Sequence, residues 1–571
     1  MELFCIKDLP KMSAERFGDK TAMQIKKAGE FREYSFNDIE EQSNALAEYL
    51  MANRIKGGKA FAVLGENRPE WGISYFAIAK TGAYIIPVDS MQKEREVKTA
   101  LHFSQAKGIF VSSAYLDVIK EIKDQLPHLK YVISMDSTEH PYEVSFNEAL
   151  EEGRRIVASG KRRTEGVRCG LDDEYVIIFT SGTTGTSKGV MLTNRNVSYD
   201  IINSETLIGV EENDKFISLL PLHHTFEATA GFLLPFTFGN TITYARSLKS
   251  KEIVEDIADS GTTIMLGVPL LFEKIIKGIM RAIRQSPVKR TLIGSMLGIE
   301  KGTKKVLGMK LGSSLFSSLR EKAGLGTVRL MISGGAALKP DIAEAFESFG
   351  FTLFQGYGLT ETSPIASINP VDNYKHDSIG VPIPGVEIEI DSPNENGHGE
   401  LKIWGPIIMK GYYKNQKATD DVIKDSWFFT GDIGYKDEDG FLYISGRKKA
   451  LIVTEAGKNV YPEEIEERLA ESDYIEEALV LPFENVSTKR EEVGAIIYPN
   501  PDIIERFMKE CSEEEADSKL KKIIKKEINK LSRDFAPYKR VKHFNLRYEE
   551  FPKTTTKKIK RYLFNSLAID D

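Results

Sequence analysis

Along the first part of the chain, short apolar runs alternate with segments whose apolar positions recur every three to four residues. "NDIEEQSNALAEYL" has the helical period and predicts a helix opened by Asn37, with Glu40 three residues on in the manner of a capping box. "KAFAVLG" and "AYIIPVD" predict short buried strands, and "RPEWGISYFAIAKTG" between them predicts a helix. Such alternation implies βαβ units and a mainly parallel sheet. After about residue 380 the texture changes: "GVEIEID", "GELKIWG" and "GFLYISG" predict strands separated by glycine-bearing turns, a small β-rich subdomain. Beyond "GRKKALIV" the chain becomes helix-rich and charged, as in "DSKLKKIIKKEINKLSRDF". The pattern predicts an α/β fold: a large N-terminal domain of β-sheets with packed helices and a small β subdomain, then a small α+β C-terminal domain. The boundary falls at 446, giving domains 1–445 and 446–571.

Length and charge narrow this picture. A chain of 571 residues exceeds one ordinary core. Its net charge is -7, and residues 446–571 hold 25 Lys+Arg against 25 Asp+Glu, so the excess acid lies in 1–445. That balance speaks against general nucleic-acid binding. The richest apolar stretch, Phe226 to Phe238, is interrupted by Glu227, Gly231 and Pro235, so no membrane-spanning helix is expected. The N-terminus lacks the pattern of a secretory signal, and Cys5, Cys169 and Cys511 are too few and too scattered for a disulfide framework. The cytoplasm is the expected location. Segment 281–322 carries ten Lys+Arg against two Glu among apolar residues, which fits either a surface for peripheral contact with the inner face of an anionic membrane or a solvated helical excursion.

Candidate chemistry begins at "FTSGTTGTSKGV", residues 179–190, directly behind the apolar run Val176–Phe179. Hydroxyls and closely spaced backbone N–H groups suit a phosphate, and Lys188 adds positive charge. The order Gly182, Gly185, Lys188, Gly189 is not that of a Walker A loop, and a Gly/Ser/Thr loop by itself is as well read as a surface turn. Downstream stand "SGGAAL", "QGYGLTET", "GELKIWGPIIMKGYY", "WFFTGD", "GRKKALIVTEAGKNVYPEEIE" and "PKTTTKKIKR".

In content and order these seven motifs resemble the adenylate-forming (AMP-binding) superfamily, and in texture its bacterial long-chain fatty acyl-CoA synthetases, over residues 20 to 562. The resemblance implies an ATP- and Mg²⁺-dependent acid–thiol ligase. A carboxylate attacks the α-phosphate of ATP to give acyl-AMP and pyrophosphate, and CoA then displaces AMP. Small-molecule partners are thus a fatty acid, ATP and CoA, with a dimer as one oligomeric option. Acyl-carrier protein as acceptor, a medium-chain or aryl acid as substrate, and a catalytically impaired nucleotide- or acyl-binding protein remain alternatives.

By the same resemblance, Thr180, Ser181, Gly182, Thr183, Thr184, Gly185 and Lys188 cradle the β- and γ-phosphates. Gly335 and Ala336 approach adenine, Tyr357 and Gly358 lie against it, Thr360 meets the α-phosphate, and Glu361 binds Mg²⁺, a hard ion suited to carboxylate oxygen. Asp432 and Arg447 reach the ribose, Lys449 is the hinge, and Gly457 borders the pantetheine tunnel. Lys558 is the adenylating lysine, although Lys557 stands where the family carries glycine. His224 lines or gates the acyl site, or is a satisfied structural histidine. Phe226, Phe232, Leu233, Leu234 and Phe236 wall an acyl tunnel or simply pack the core. His223 and His224 lack a third ligand at useful spacing and are not a metal pair.

Overall fold

The computed structural model describes residues 1–136, 143–180, 188–284, 316–453, 459–485, 490–533, 535–553 and 559–564. It divides into two compact units, one built from Met1–Thr180, Ser187–Glu387 and Ile403–Ser426, the other including Ile388–Lys402 and Trp427–Asp571.

Among the described residues the first unit carries two large sheets. In one, Leu330–Ser333 lies between Ile264–Gly267 and Thr352–Tyr357, all parallel, with Lys215–Ser218 and Thr241–Tyr244 following in the same sense. In the other, Ala60–Leu64 lies between the parallel strands Tyr84–Pro87 and Gly108–Val111. Here the expected βαβ unit is realised: Ala60–Leu64 is buried throughout, helix Pro69–Lys80 returns the chain, and Tyr84–Pro87 pairs alongside. Helix Pro69–Lys80 is buried along its whole length, which is why Trp71 to Ala79 is apolar but for Ser74 and shows no polar face.

One detail differs from expectation. The helix over 37–50 starts earlier, as Phe36–Ala52, and its capping box is Ser35 with Asp38 rather than Asn37 with Glu40. Ser35 has an extended backbone and its hydroxyl accepts from the Asp38 N–H, while Asp38 accepts from the Ser35 N–H at 2.8 Å. Asn37 instead donates to Asp19. Phe36, wholly buried against Phe17 and Phe236, holds the helix start two residues back.

The second unit contains the expected glycine-punctuated strands, Gly399–Trp404, Trp427–Lys436 and Leu442–Arg447, the last two antiparallel. Farther on, Ile475–Asn485 pairs antiparallel with Arg490–Pro499, and His543–Leu546 joins in parallel. Helices Pro462–Leu469 and Glu513–Leu531 cover this sheet through Ile465, Leu469, Ile524 and Ile528. Among the described residues no helix is long and apolar enough to cross a membrane. Most of the basic segment 281–322, residues 285–315, lies outside the described residues.

Candidate active site

The glycine-rich loop leaves strand Glu174–Thr180 and returns in strand Lys188–Thr193, which pair antiparallel so that Thr180 faces Lys188. The loop residues Ser181, Gly182, Thr183, Thr184 and Gly185 lie outside the described residues, but both its feet are fixed. The returning strand is flanked by the two-residue strand Gly411–Tyr412, with Tyr412 opposite Val190, and the Tyr413 N–H donates to the Gly189 carbonyl at 2.7 Å. This places the Tyr412 ring beneath Lys188, whose ammonium lies 4.4 Å from the ring centroid.

The Tyr412 phenol donates to Glu361 Oε1 at 2.7 Å. Burial, with the Glu361 charge second, pushes this phenol well above its ordinary range, so it stays a donor. Glu361 lies on the 3₁₀ turn Thr360–Thr362, whose geometry is locked locally: the Leu359 N–H donates to Thr362 Oγ1 at 2.9 Å, and that hydroxyl donates to the Pro364 carbonyl at 2.8 Å. The Met409 N–H also holds the Glu361 carbonyl at 2.9 Å. Gly358 lets the turn close, because a Cβ there would sit 1.6 Å from the Pro364 oxygen. Among the described residues no group of three or more His, Cys, Asp or Glu could hold a metal by itself. Glu361 therefore fits Mg²⁺ only in the manner usual for that ion, as one carboxylate completed by phosphate and water.

Tyr357 ends strand Thr352–Tyr357, and Gly335 and Ala336 follow the adjacent strand Leu330–Ser333. Both of the latter are exposed, and Gly335 has φ +79°, a conformation that favours glycine. The Phe226 ring packs on the neighbouring Gly334, where an added Cβ would meet it at 2.8 Å.

Phe226 introduces the segment around His224. A π-helix spans Glu227–Leu233, a rare element often found at functional sites. Thr229 donates from it to the Ser363 carbonyl at 3.0 Å, just past the Thr360–Thr362 turn. His223 Nε2 lies 3.1 Å from Asp89 Oδ1. Burial, then the neighbouring His223, hold the His224 imidazole far below its ordinary range, so it is neutral. Its Nε2 has no described protein partner, and nor have the buried Oγ1 of Thr225 and Oγ of Ser333. Of the apolar residues with two readings, Phe232, Leu233, Leu234 and Phe236 are core: Phe232 packs on Trp71, Tyr75 and Phe76, and Phe236 on Phe36 and Phe76.

In the second unit Asp432 and Arg447 face each other across antiparallel strands, the Arg447 Nε donating to Asp432 Oδ1 at 2.7 Å. The Asp432 side chain is only 3% exposed and Arg447 40%, so the guanidinium is the open end of the pair. Lys449 is exposed in the 3₁₀ turn Lys448–Ala450 directly after the strand. Gly457 lies outside the described residues, as do Lys557 and Lys558. The stretch bearing those lysines is anchored at both ends: Lys553 bridges to Ile559, the Lys560 N–H donates to the Pro552 carbonyl at 2.8 Å, and Arg561 donates to the Val480 carbonyl at 3.0 Å while pairing with Glu466.

Two residues escaped the sequence reading. Tyr412 sits inside the quoted "MKGYY", where nothing in spacing distinguishes it from a surface tyrosine. Glu227 registers only as a break in an apolar run, though it is wholly buried and its Oε1 accepts from Ser218 at 2.6 Å. A lone acid within an apolar run was the available signal.

The chain belongs to the AMP-binding enzyme family, whose model matches residues 11–413. It is 28% identical to the long-chain-fatty-acid–CoA ligase of Bacillus subtilis, over 96% of this chain and 92% of the relative. It is likewise 28% identical to the chloroplastic long-chain-fatty-acid–[acyl-carrier-protein] ligase AEE15 of Arabidopsis thaliana, over 92% and 80% respectively. Among solved structures, o-succinylbenzoate coenzyme A synthetase from Bacillus subtilis in complex with ATP and magnesium ion superposes with a TM-score of 0.73 at 20% identity, covering 97% of this chain and 98% of that one.

Proposed function

We propose that the protein is an ATP- and Mg²⁺-dependent long-chain fatty acid–CoA ligase working through acyl-AMP. The observation that carries the reading is Glu361, one carboxylate oxygen held by Tyr412, on the same strand assembly that sets Lys188 at the foot of the glycine-rich loop. The names of the fatty-acid-activating relatives support the substrate class.

In the first step a fatty-acid carboxylate oxygen bonds to the α-phosphorus of ATP and the bond to the bridging oxygen of pyrophosphate breaks. Lys188 and the loop from Thr180 to Gly185 hold the departing phosphates. Thr360 donates to an α-phosphate oxygen, and Lys558 stabilises the charge that redistributes between carboxylate and phosphate. Glu361 would hold Mg²⁺, which would supply neutralisation of phosphate charge. Asp432 accepts from the ribose hydroxyls with Arg447 beside it, and Gly335, Ala336, Tyr357 and Gly358 border adenine. In the second step the CoA thiolate bonds to the acyl carbonyl carbon and AMP leaves. Rotation at Lys449, near the proposed 446 boundary, brings Gly457 to the pantetheine path. A neutral His224, unable to form an ion pair with the acid, suits a gate beside an apolar chain.

The relative that loads acyl-carrier protein favours a second acceptor as the alternative. Palmitate-dependent pyrophosphate release, followed by consumption of CoA or of holo-carrier protein, tests both. The ligase reading predicts turnover with CoA; carrier-protein turnover alone reassigns the acceptor, and no fatty-acid-dependent pyrophosphate refutes the activity.

A further inference from the structure

Lys188 and Glu361, one on the returning foot of the loop and the other on a 3₁₀ turn, are 173 positions apart in sequence (361 − 188). One side chain touches both. Tyr412 gives its hydroxyl to Glu361 Oε1 at 2.7 Å and its face to the Lys188 ammonium at 4.4 Å. Its own position is fixed on several sides: it is 6% exposed, its strand pairs with Val190, and its N–H donates to Thr419 Oγ1 at 2.9 Å. Among the described residues, Glu361 accepts no other side-chain hydrogen bond and has no ion-pair partner, and Lys188 has no ion-pair partner.

We propose that Tyr412 is a positioning residue that couples metal binding to phosphate binding, by aiming the Glu361 carboxylate and by seating Lys188. The inference rests on the assignment of Glu361 to Mg²⁺. With Oε1 occupied by the phenol, rotation of the carboxylate is restricted and Oε2 would be left for the ion. The ring face holds the lysine without neutralising it, as a carboxylate would, so the full charge remains available to a phosphate. Without the hydroxyl, Glu361 samples more rotamers before it meets the ion. Without the ring, the long Lys188 side chain also loses its seat.

The test measures ATP affinity by calorimetry, without acid or CoA, across Mg²⁺ concentrations from none to saturating. The readout is the factor by which Mg²⁺ tightens ATP. Tyr412→Phe keeps ring and strand but removes the hydroxyl, and is expected to reduce that factor about tenfold, the loss typical of one hydrogen bond to a charged group. Tyr412→Leu is expected to reduce it similarly and also to weaken Mg²⁺-free ATP several-fold, because the Lys188 seat is gone. Tyr413→Phe, whose ring contacts Phe103 and Lys414 instead, is the control. A wild-type factor in Tyr412→Phe, with Glu361→Gln reducing it, overturns the inference while leaving Glu361 as the metal carboxylate. A wild-type factor in Glu361→Gln overturns the metal assignment and the inference together. Equal Mg²⁺-free ATP affinity in the Phe and Leu variants overturns the lysine seat.

Discussion

Replacing Glu227 by glutamine should alter how the first unit's stability depends on pH. Glu227 is 0% exposed, its Oε1 accepts from Ser218 Oγ at 2.6 Å, and its Oε2 has no described partner. Burial pushes the carboxyl from an ordinary 4.5 up to about 8, so the folded protein holds it protonated at neutrality. The folded value lies above the unfolded one. Stability contributed by the bound proton is therefore complete below the unfolded value and is lost as pH rises through the folded one. At ~1.4 kcal/mol per pH unit, the loss from this group between about pH 5 and pH 9 is on the order of 4 kcal/mol, most of it below pH 7. Glutamine matches the protonated acid in shape, keeps an acceptor for Ser218 and cannot ionise. Wild type and Glu227→Gln should be nearly equal at about pH 5, with the variant ahead by roughly 4 kcal/mol at about pH 9. Hydrogen exchange at the Ile217 and Ser218 amides, followed by mass spectrometry through a urea series, reads this unit by itself. Parallel stability curves for the two proteins would refute the buried-proton reasoning.

Gly358→Ala places a methyl 1.6 Å from the Pro364 oxygen, so the Thr360–Thr362 turn must move. Acid-dependent pyrophosphate exchange should fall on the order of a hundredfold, as for a misplacement of about 1 Å, and near-wild-type exchange would contradict the geometry. Asp432→Asn removes the charge partner of Arg447, and the KM for ATP should rise about tenfold, with kcat less affected; an unchanged KM would separate the pair from nucleotide binding. Lys558→Ala should slow adenylation on the order of a hundredfold to a thousandfold and Lys557→Ala only a few-fold; single-turnover acyl-AMP formation with the reverse ranking would move the role to Lys557.

Sequence pattern reached the scaffold wherever burial was uniform or periodic. Ala60–Leu64, Pro69–Lys80 and Tyr84–Pro87 could be read because their positions are mostly apolar or small; the charged Glu70 and Lys80 near the helix ends are enclosed by pairing with Arg68 and Glu40. The helix start at Ser35 was misread because two Ser/Asx residues, Ser35 and Asn37, each have an acid three positions on; only the burial of Phe36 chooses between them. Within the site, Thr180, Lys188, Tyr357 and Glu361 carry signals in short motifs, since loop chemistry is local. Tyr412 acts through two partners distant in sequence, and such a contact has no local signature. The Phe232 to Phe236 run showed the opposite ambiguity: core and tunnel demand the same apolar side chains, and the ring contacts with Trp71 and Phe76 are what distinguish them.

The π-helix Glu227–Leu233 and its flanking Phe226 touch both proposed nucleotide motifs, Phe226 packing on Gly334 and Thr229 donating to the Ser363 carbonyl. Substitutions in this helix and in those motifs share partners, so their effects should not add. A library that varies the helix will therefore also perturb Gly334 and Ser363, and with them the proposed nucleotide motifs. Effects measured one position at a time will not sum when combined, and the deviation can take either sign, unless Gly334 or Ser363 changes with them.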